Sequence, residues 1–298
     1  MSSQSIVCFG EILWDLLPTG KIAGGAPMNV AFHAKTFGLN AGLISRVGAD
    51  ELGQELTAFL RERDISTRFV QVDQTFPTGI VHVALDTNGS PSYEIVQPVA
   101  WDYINSDEET KKVVRNADAI VFGSLVCRTN RTKNTLLELL ELAPLRVFDV
   151  NLRPPFFSRE LIEELLPKAN VVKMNDIELQ IIAGWHGIDG SDTQKMDFLK
   201  NHYGIDTLIV TMGADGARVQ NQQGYFFQTG FNVKVQDTIG SGDAFLGAFL
   251  SKFLKHSSPV ECLETACAAG AFVATKHGAT PDYSPSEIFQ NLMQHEKI

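Results

Sequence analysis

The stretch DTIGSGDAF, residues 237–245, sets an acid on each side of a Gly-Ser-Gly turn, directly before a helix-forming run. Glycine loses much backbone freedom on folding, so two glycines around a serine point to a local need for exposed amides. The run AFLGAFLSKFL is apolar and small, and reads as a buried helix. A helix start with free N–H groups is a ready anion site, so a phosphate can rest on the amides of Gly240, Ser241 and Gly242. Asp243 would repel that anion unless it served a neighbour. A carboxylate there is placed to take a proton from an attacking hydroxyl. The plainer alternative is that Asp243 only caps the helix.

Two further places carry candidate chemistry. In GGAPMNVA, residues 24–31, Gly24 and Gly25 let backbone approach a ligand, and Asn29 can donate and accept at a helix start. Asp15 in GEILWDLLP could accept two hydroxyl hydrogen bonds, with Trp14 beside it as an apolar face. Asp15, Trp14 and Asn29 would suit a sugar if they converge; the alternatives are a turn acid and ordinary helix-start residues. In DVNLRPPFF, Asp149, Asn151 and Arg153 end a strand, where doubly wound sheets bind ligands. Arg153 offers a planar fork for phosphate or sugar oxygens. Asn175 and Glu178 in KMNDIEL could face one solvated magnesium, or could cap a helix. Neither a Walker-type P-loop nor G-x-G-x-x-G after a strand is present.

These residues need a scaffold, and the chain's rhythm supplies one. IVCFGEI (6–12) reads as a strand and PMNVAFHAKTFG (27–38) as a helix with Pro27 near its start. A strand in AGLISRVG and the helix ELGQELTAFLRERD follow. Residues 67–96 then break the rhythm with short strands, TRFVQVDQ, TGIVHVALD and SYEIVQ, and a turn at TNGSPS around Asn88-Gly89. From about Asp107 strands and helices alternate again to the helices at 242–255 and 259–277. Alternation of this kind predicts a mostly parallel sheet covered by helices on both faces. The strand-rich interruption predicts a small sheet projecting as a lid, with strands drawn from about 12–22 and 67–98.

Composition narrows the functional classes. With 298 residues, 44% of them hydrophobic, the chain can bury a large core, and 1–298 reads as a single domain. A net charge of −10 argues against nucleic acid. The four cysteines, Cys8, Cys127, Cys262 and Cys267, form no C-x-x-C pair and sit among apolar neighbours, which predicts buried free thiols in a reducing cytoplasm. The first residues carry acids and no basic region, so no signal peptide is expected. No run approaches the ~18 apolar residues of a membrane span.

Taken together, the motifs resemble those of the ribokinase-like (PfkB) carbohydrate kinases. The early motif stands as Gly24, Gly25, Pro27, Asn29, Ala31, Gly38 and Gly48, and the later one as Asp237, Gly240, Ser241, Gly242, Asp243 and Gly247. GEILWDLLP and DVNLRPPFF are similar to the fructokinase branch. The resemblance implies a three-layer α/β fold with a β-lid over the sugar. It implies ATP-dependent transfer of the γ-phosphoryl group to a primary sugar hydroxyl, with fructose the expected acceptor. Ribose, 2-keto-3-deoxygluconate and nucleosides are the alternatives within the family, and a non-catalytic sugar- or nucleotide-sensing module is the alternative outside it. Carried over, Asp243 is the base, Gly240, Ser241 and Gly242 the anion hole, and Asp15, Gly25, Asn29 and Arg153 sugar or phosphate contacts. Asn175 and Glu178 match positions that organise magnesium through water, and Thr211, Gly213 and Gly216 a nucleotide-binding turn. Lys276 and Gly278 match the loop beside the purine, where Asp237 and Asp282 are expected to hold a monovalent cation such as potassium. Mg-ATP is the implied cofactor. A homodimer through the lid edges is the implied assembly.

Overall fold

Runs such as IVCF, AIVFG and TLIVT are apolar at nearly every position, as strands buried on both faces must be. The computed structural model, which describes residues 4–18, 20–85, 91–288 and 290, arranges them accordingly. The strands are β1 Ser5–Phe9, β2 Leu13–Leu17, β3 Gly20–Gly24, β4 Asn40–Gly48, β5 Val70–Asp73, β6 Gly79–Leu85 and β7 Pro91–Ile95. They continue as β8 Ala119–Gly123, β9 Arg146–Asp149, β10 Val171–Asn175, β11 Thr207–Thr211, β12 Ala217–Asn221 and β13 Gly224–Gln228. The helices are α1 Ala26–Thr36, α2 Glu51–Glu62, α3 Glu108–Asn116, α4 Asn130–Leu140 and α5 Arg159–Leu165. After them come α6 Asp176–Gly184, α7 Asp192–Tyr203, α8 Ser241–Phe253 and α9 Pro259–Ala274.

The larger sheet runs β13-β12-β11-β10-β9-β8-β1-β4-β5. From β11 to β5 every pairing is parallel, and β12 and β13 close one edge as an antiparallel hairpin. Side chains alternate across it. On β1, Ile6 and Cys8 enter a core shared with α1, α2, α8 and α9, while Val7 and Phe9 enter the core under α3 to α7. From β1 the chain builds outward to β4 and β5, then returns to β8 on the other side. In doubly wound sheets ligands bind at such a reversal, beyond the carboxyl ends of the strands, here beside β1 and β8. All four cysteines are buried and unbridged.

A second sheet, β3-β2-β6-β7, is assembled from the two stretches that interrupt the β–α rhythm. One expectation is corrected here. TRFVQVDQ reads with the small sheet in sequence, but β5 pairs in parallel with β4 and extends the large one. A strand's composition does not name its partner, and β5 follows α2 as an ordinary right-handed crossover would. The predicted turn at Asn88-Gly89 lies outside the described residues. Among the described residues no helix is long and apolar enough to cross a membrane.

Candidate active site

Asp243 sits in the first turn of α8, whose N-cap, Gly240, is in the left-handed region at φ 78° and offers no side-chain cap. A Cβ on Gly240 would lie 2.5 Å from the Ala279 carbonyl oxygen, so the turn can only be glycine. Gly242 and Asp243 fall where a helix has no internal acceptor for its N–H groups. The Ser241 amide differs from expectation, because it bends back to the Thr238 carbonyl at 3.3 Å. Asp243 Oδ2 accepts a 2.8 Å hydrogen bond from Asn29 Nδ2 of α1. Asn29 is itself buried, and its Oδ1 has no partner among the described residues.

The environment of Asp243 raises its affinity for a proton. Burial, with the Asp149 carboxylate adding to it, pushes its carboxyl up to about 6, against the pull of Lys173, Asn29 and Arg153. Its side chain is nonetheless only half-buried. Lys173, on β10, is buried and grips both oxygens of Asp149, at the end of β9, at 2.8 and 3.0 Å. Burial alone would lower the Lys173 ammonium's affinity for its proton, yet Asp149's charge and hydrogen bonds raise it overall. A Cβ on Gly242 would stand 3.3 Å from Lys173 Nζ, so this cation lies against the first turn of α8. The Lys173–Asp149 ion pair and the free amides at the start of α8 therefore meet at one point.

The double glycine is required on two counts. A Cβ on Gly24 would meet Asp15 Oδ2 at 2.5 Å, so Gly24 makes room for that carboxylate. Gly25 has φ +114°, and a Cβ there would lie 2.4 Å from the Glu11 carbonyl oxygen. Asp15 is half-buried, and burial pushes it up to about 6 while Arg153 opposes the shift. Arg153 is exposed and within electrostatic reach of Asp15, Glu11 and Asp243 alike. Trp14 does not join this set. Neighbouring residues on a strand face opposite ways, and the Trp14 ring packs against Phe59 with Nε1 donating to the Leu52 carbonyl.

On the other flank, Asn175 ends β10 in register with Thr211 at the end of β11. Asn175 Oδ1 accepts from the Glu178 amide at 2.8 Å, and Glu178 Oε2 accepts from the Asn175 amide at 2.8 Å. Glu178 Oε1 takes the Leu152 amide. The structure thus realises the capping alternative for this pair, with a buried Glu178 whose carboxyl is raised by desolvation. Gly213 and Gly216 have φ 54° and 102°, and bring the chain from β11 into the β12–β13 hairpin. Asp237 ties its own loop to the next: Oδ1 accepts from Ile239 N, and Oδ2 from Gly278 N at 3.2 Å. Lys276 Nζ lies over the Phe272 ring. Arg63 donates to one oxygen of the largely exposed Asp282 carboxylate at 2.8 Å and to the Thr280 carbonyl at 2.9 Å. Among the described residues no group of three or more His, Cys, Asp or Glu side chains could cage a metal ion.

Three residues of this region escape motif reading. Lys173 hides in the apolar strand VVKMN, and His33 in an apolar helix. Glu11 is buried with Oε2 unpartnered among the described residues, and burial pushes its carboxyl up to about 7. The only sequence signal for each is a polar residue inside an otherwise apolar run.

Residues 4–286 match the pfkB family carbohydrate kinases. The chain is 29% identical to a fructokinase of Solanum tuberosum, covering 94% of this chain and 93% of that one. Among solved structures it resembles an uncharacterised sugar kinase from Pyrococcus horikoshii in complex with ATP, at 27% identity and TM-score 0.81, over 96% of this chain and 97% of that one. It also resembles a double mutant of the fructokinase from Vibrio cholerae in fructose-, ADP- and potassium-bound form, at 22% identity and TM-score 0.84, over 98% and 99% of the two chains.

Proposed function

The chain belongs to the pfkB family of carbohydrate kinases, and from that premise we propose that it is a fructokinase, transferring the γ-phosphoryl group of ATP to a primary hydroxyl of fructose. The observation that carries the reading is the Asn29–Asp243 hydrogen bond, which joins the helix of the double-glycine motif to the acid beside the amide cradle. Asp15, Gly25, Asn29 and Arg153 hold the sugar. Asp243 takes the proton of the attacking hydroxyl, and the amides at Gly240 and Gly242 carry the charge that gathers on the transferred group. Lys173 adds positive charge beneath them. Phosphoryl transfer leaves little covalent work for side chains, so positioning and electrostatics supply the rate.

Asn175, Thr211, Gly213, Gly216, Lys276 and Gly278 border the nucleotide in this reading. A magnesium ion held mainly by phosphates and water fits a site without a protein cage; bound there, it neutralises phosphate charge. Asn175 and Glu178 would then act on its water shell from a capped helix. For potassium, Asp237 and backbone oxygens of the 276–280 loop fit, and Asp282, paired with Arg63, does not. Residues 1–298 serve as one kinase domain with the four-stranded sheet as its lid, and the free edges of that sheet, β3 and β7, are where a second copy would pair in a homodimer. Buried free thiols suit action in the cytoplasm.

A coupled ADP-release screen across fructose, ribose, 2-keto-3-deoxygluconate, tagatose and adenosine tests the reading. Fructose is expected to give the highest kcat/KM. A rival sugar or nucleoside ahead by more than about tenfold, roughly 1.4 kcal/mol, would replace it as substrate. Binding without ADP release from any of them would leave a sensing module.

A further inference from the structure

His33 lies on α1 one turn beyond Asn29, on the same face, and is fully buried. Both ring nitrogens are engaged, and both reach the same distant segment. Nε2 lies 2.8 Å from the Ala279 carbonyl oxygen, and Nδ1 lies 2.8 Å from the Tyr283 hydroxyl. A carbonyl can only accept, so Nε2 carries the proton and Nδ1 accepts from Tyr283. The ring is neutral at pH 7, since burial drives its pKa down to about 4.

What His33 holds is the seat of the anion cradle. The Gly240 turn rests on Ala279 backbone to backbone: a Cβ on Gly240 would stand 2.5, 2.6 and 2.9 Å from Ala279 O, Cα and C. Two turns along α8, a Cβ on Gly247 would stand 2.7 Å from Ala34 N and 2.9 Å from His33 Cβ. His33 therefore sits where α1, α8 and the 278–283 segment meet, between the residue that grips Asp243 and the carbonyl that seats Gly240.

We propose that His33 is a positioning residue for phosphoryl transfer, its Nε2–H bond to Ala279 keeping the Gly240 turn, and with it the amide cradle and Asp243, in register with Asn29. The proposal rests on the reading of Asp243 as the base. His33 touches no reacting atom. Its effect runs through the Ala279 carbonyl.

The test uses His33→Ala, His33→Gln and Tyr283→Phe in the full chain, with three readouts. Steady-state kinetics on the best sugar of the substrate screen should show kcat falling about 10- to 100-fold in His33→Ala, because ångström-scale misplacement costs that much, while sugar KM changes little. Gln, whose amide can still donate to Ala279, should restore part of the loss. Hydrogen–deuterium exchange should rise in the 237–245 segment of His33→Ala and stay at the wild-type level in Asp243→Asn. Nitrogen-15 NMR of the wild-type imidazole should show the Nε2–H tautomer at pH 7. Wild-type kcat and exchange in a folded His33→Ala protein would overturn the proposal, and so would an Nδ1–H tautomer. If His33→Ala does not fold, Tyr283→Phe decides: it should raise exchange at 237–245 and lower kcat less than tenfold, and no change in either refutes the bracing. If no sugar is phosphorylated, the kinase reading fails, while tautomer and exchange still report on the brace.

Discussion

Replacing Asp243 by Asn isolates the acid's chemistry from its shape. The new amide can turn its carbonyl oxygen toward Asn29 Nδ2 and keep the 2.8 Å bond made by Oδ2. The other side then presents an amide NH2, which cannot take a proton. General base catalysis contributes about 10²- to 10⁴-fold, so kcat should fall by at least about a hundredfold, or roughly 3 kcal/mol at ~1.4 kcal/mol per tenfold. Stability should move the other way. The folded chain raises the Asp243 carboxyl from 3.8 to about 6. The folded state therefore binds that proton more tightly, a contribution fully present below pH 3.8 and lost as pH rises through about 6. At pH 7 to 8 the charged Asp243 burdens the fold, and the Asp243→Asn protein should melt at the same or a higher temperature than wild type. Stopped ADP release with an unchanged or raised Tm is the expected pair of results. Near-normal turnover by the folded variant would refute the base assignment and leave Asp243 as a structural partner of Asn29, a role asparagine fills equally well.

Asp15→Ala should raise the sugar KM roughly 5- to 150-fold, since an unpaired buried hydroxyl costs about 1–3 kcal/mol; an unchanged KM would remove Asp15 from the sugar site. Lys173→Met removes a charge that lowers the Asp243 carboxyl, so the acid limb of the pH–kcat/KM profile should shift to higher pH. It also strands a buried Asp149, and loss of about 3–5 kcal/mol of stability should accompany the shift in urea melts. Gly240→Ala forces a side chain into φ 78° and against Ala279, so kcat should collapse while sugar KM holds. Asp282→Ala should leave the potassium response at constant ionic strength unchanged, because Arg63 already occupies that carboxylate; a lost response would return Asp282 to the cation site.

Both glycine motifs are legible from sequence because each of their key glycines answers to backbone geometry. Gly25 and Gly240 have positive φ and no room for a Cβ, and such needs leave few residues to choose from. The β–α alternation is legible because doubly buried strands must be apolar throughout. Other features depend on contacts between distant segments, which composition does not encode. β5 carries the same residue types as the small-sheet strands, and only its pairing with β4 sets it apart. Trp14 reads as a sugar platform beside Asp15, yet adjacency on a strand is what sends the two side chains to opposite faces. Asn175 and Glu178 read equally as cap or magnesium organiser, and the reciprocal hydrogen bonds realise the cap. Lys173 and Glu11 stay hidden because a buried charge among apolar neighbours has no periodicity of its own.

The bond between Asn29 and Asp243 spans 214 positions of the chain. Synthesis runs from the amino end at ~5–20 residues per second, so Asn29 is made roughly 10–40 s before its partner. Throughout that interval a nascent chain can form the helix of the double-glycine motif, but it has neither Asp243 nor the Gly240 turn. Ala279, on which the cradle rests, arrives later still. If Asp243 is the base, as proposed, phosphoryl transfer cannot begin before Ala279 is made, and a chain stopped short of that residue cannot consume nucleotide while it awaits degradation.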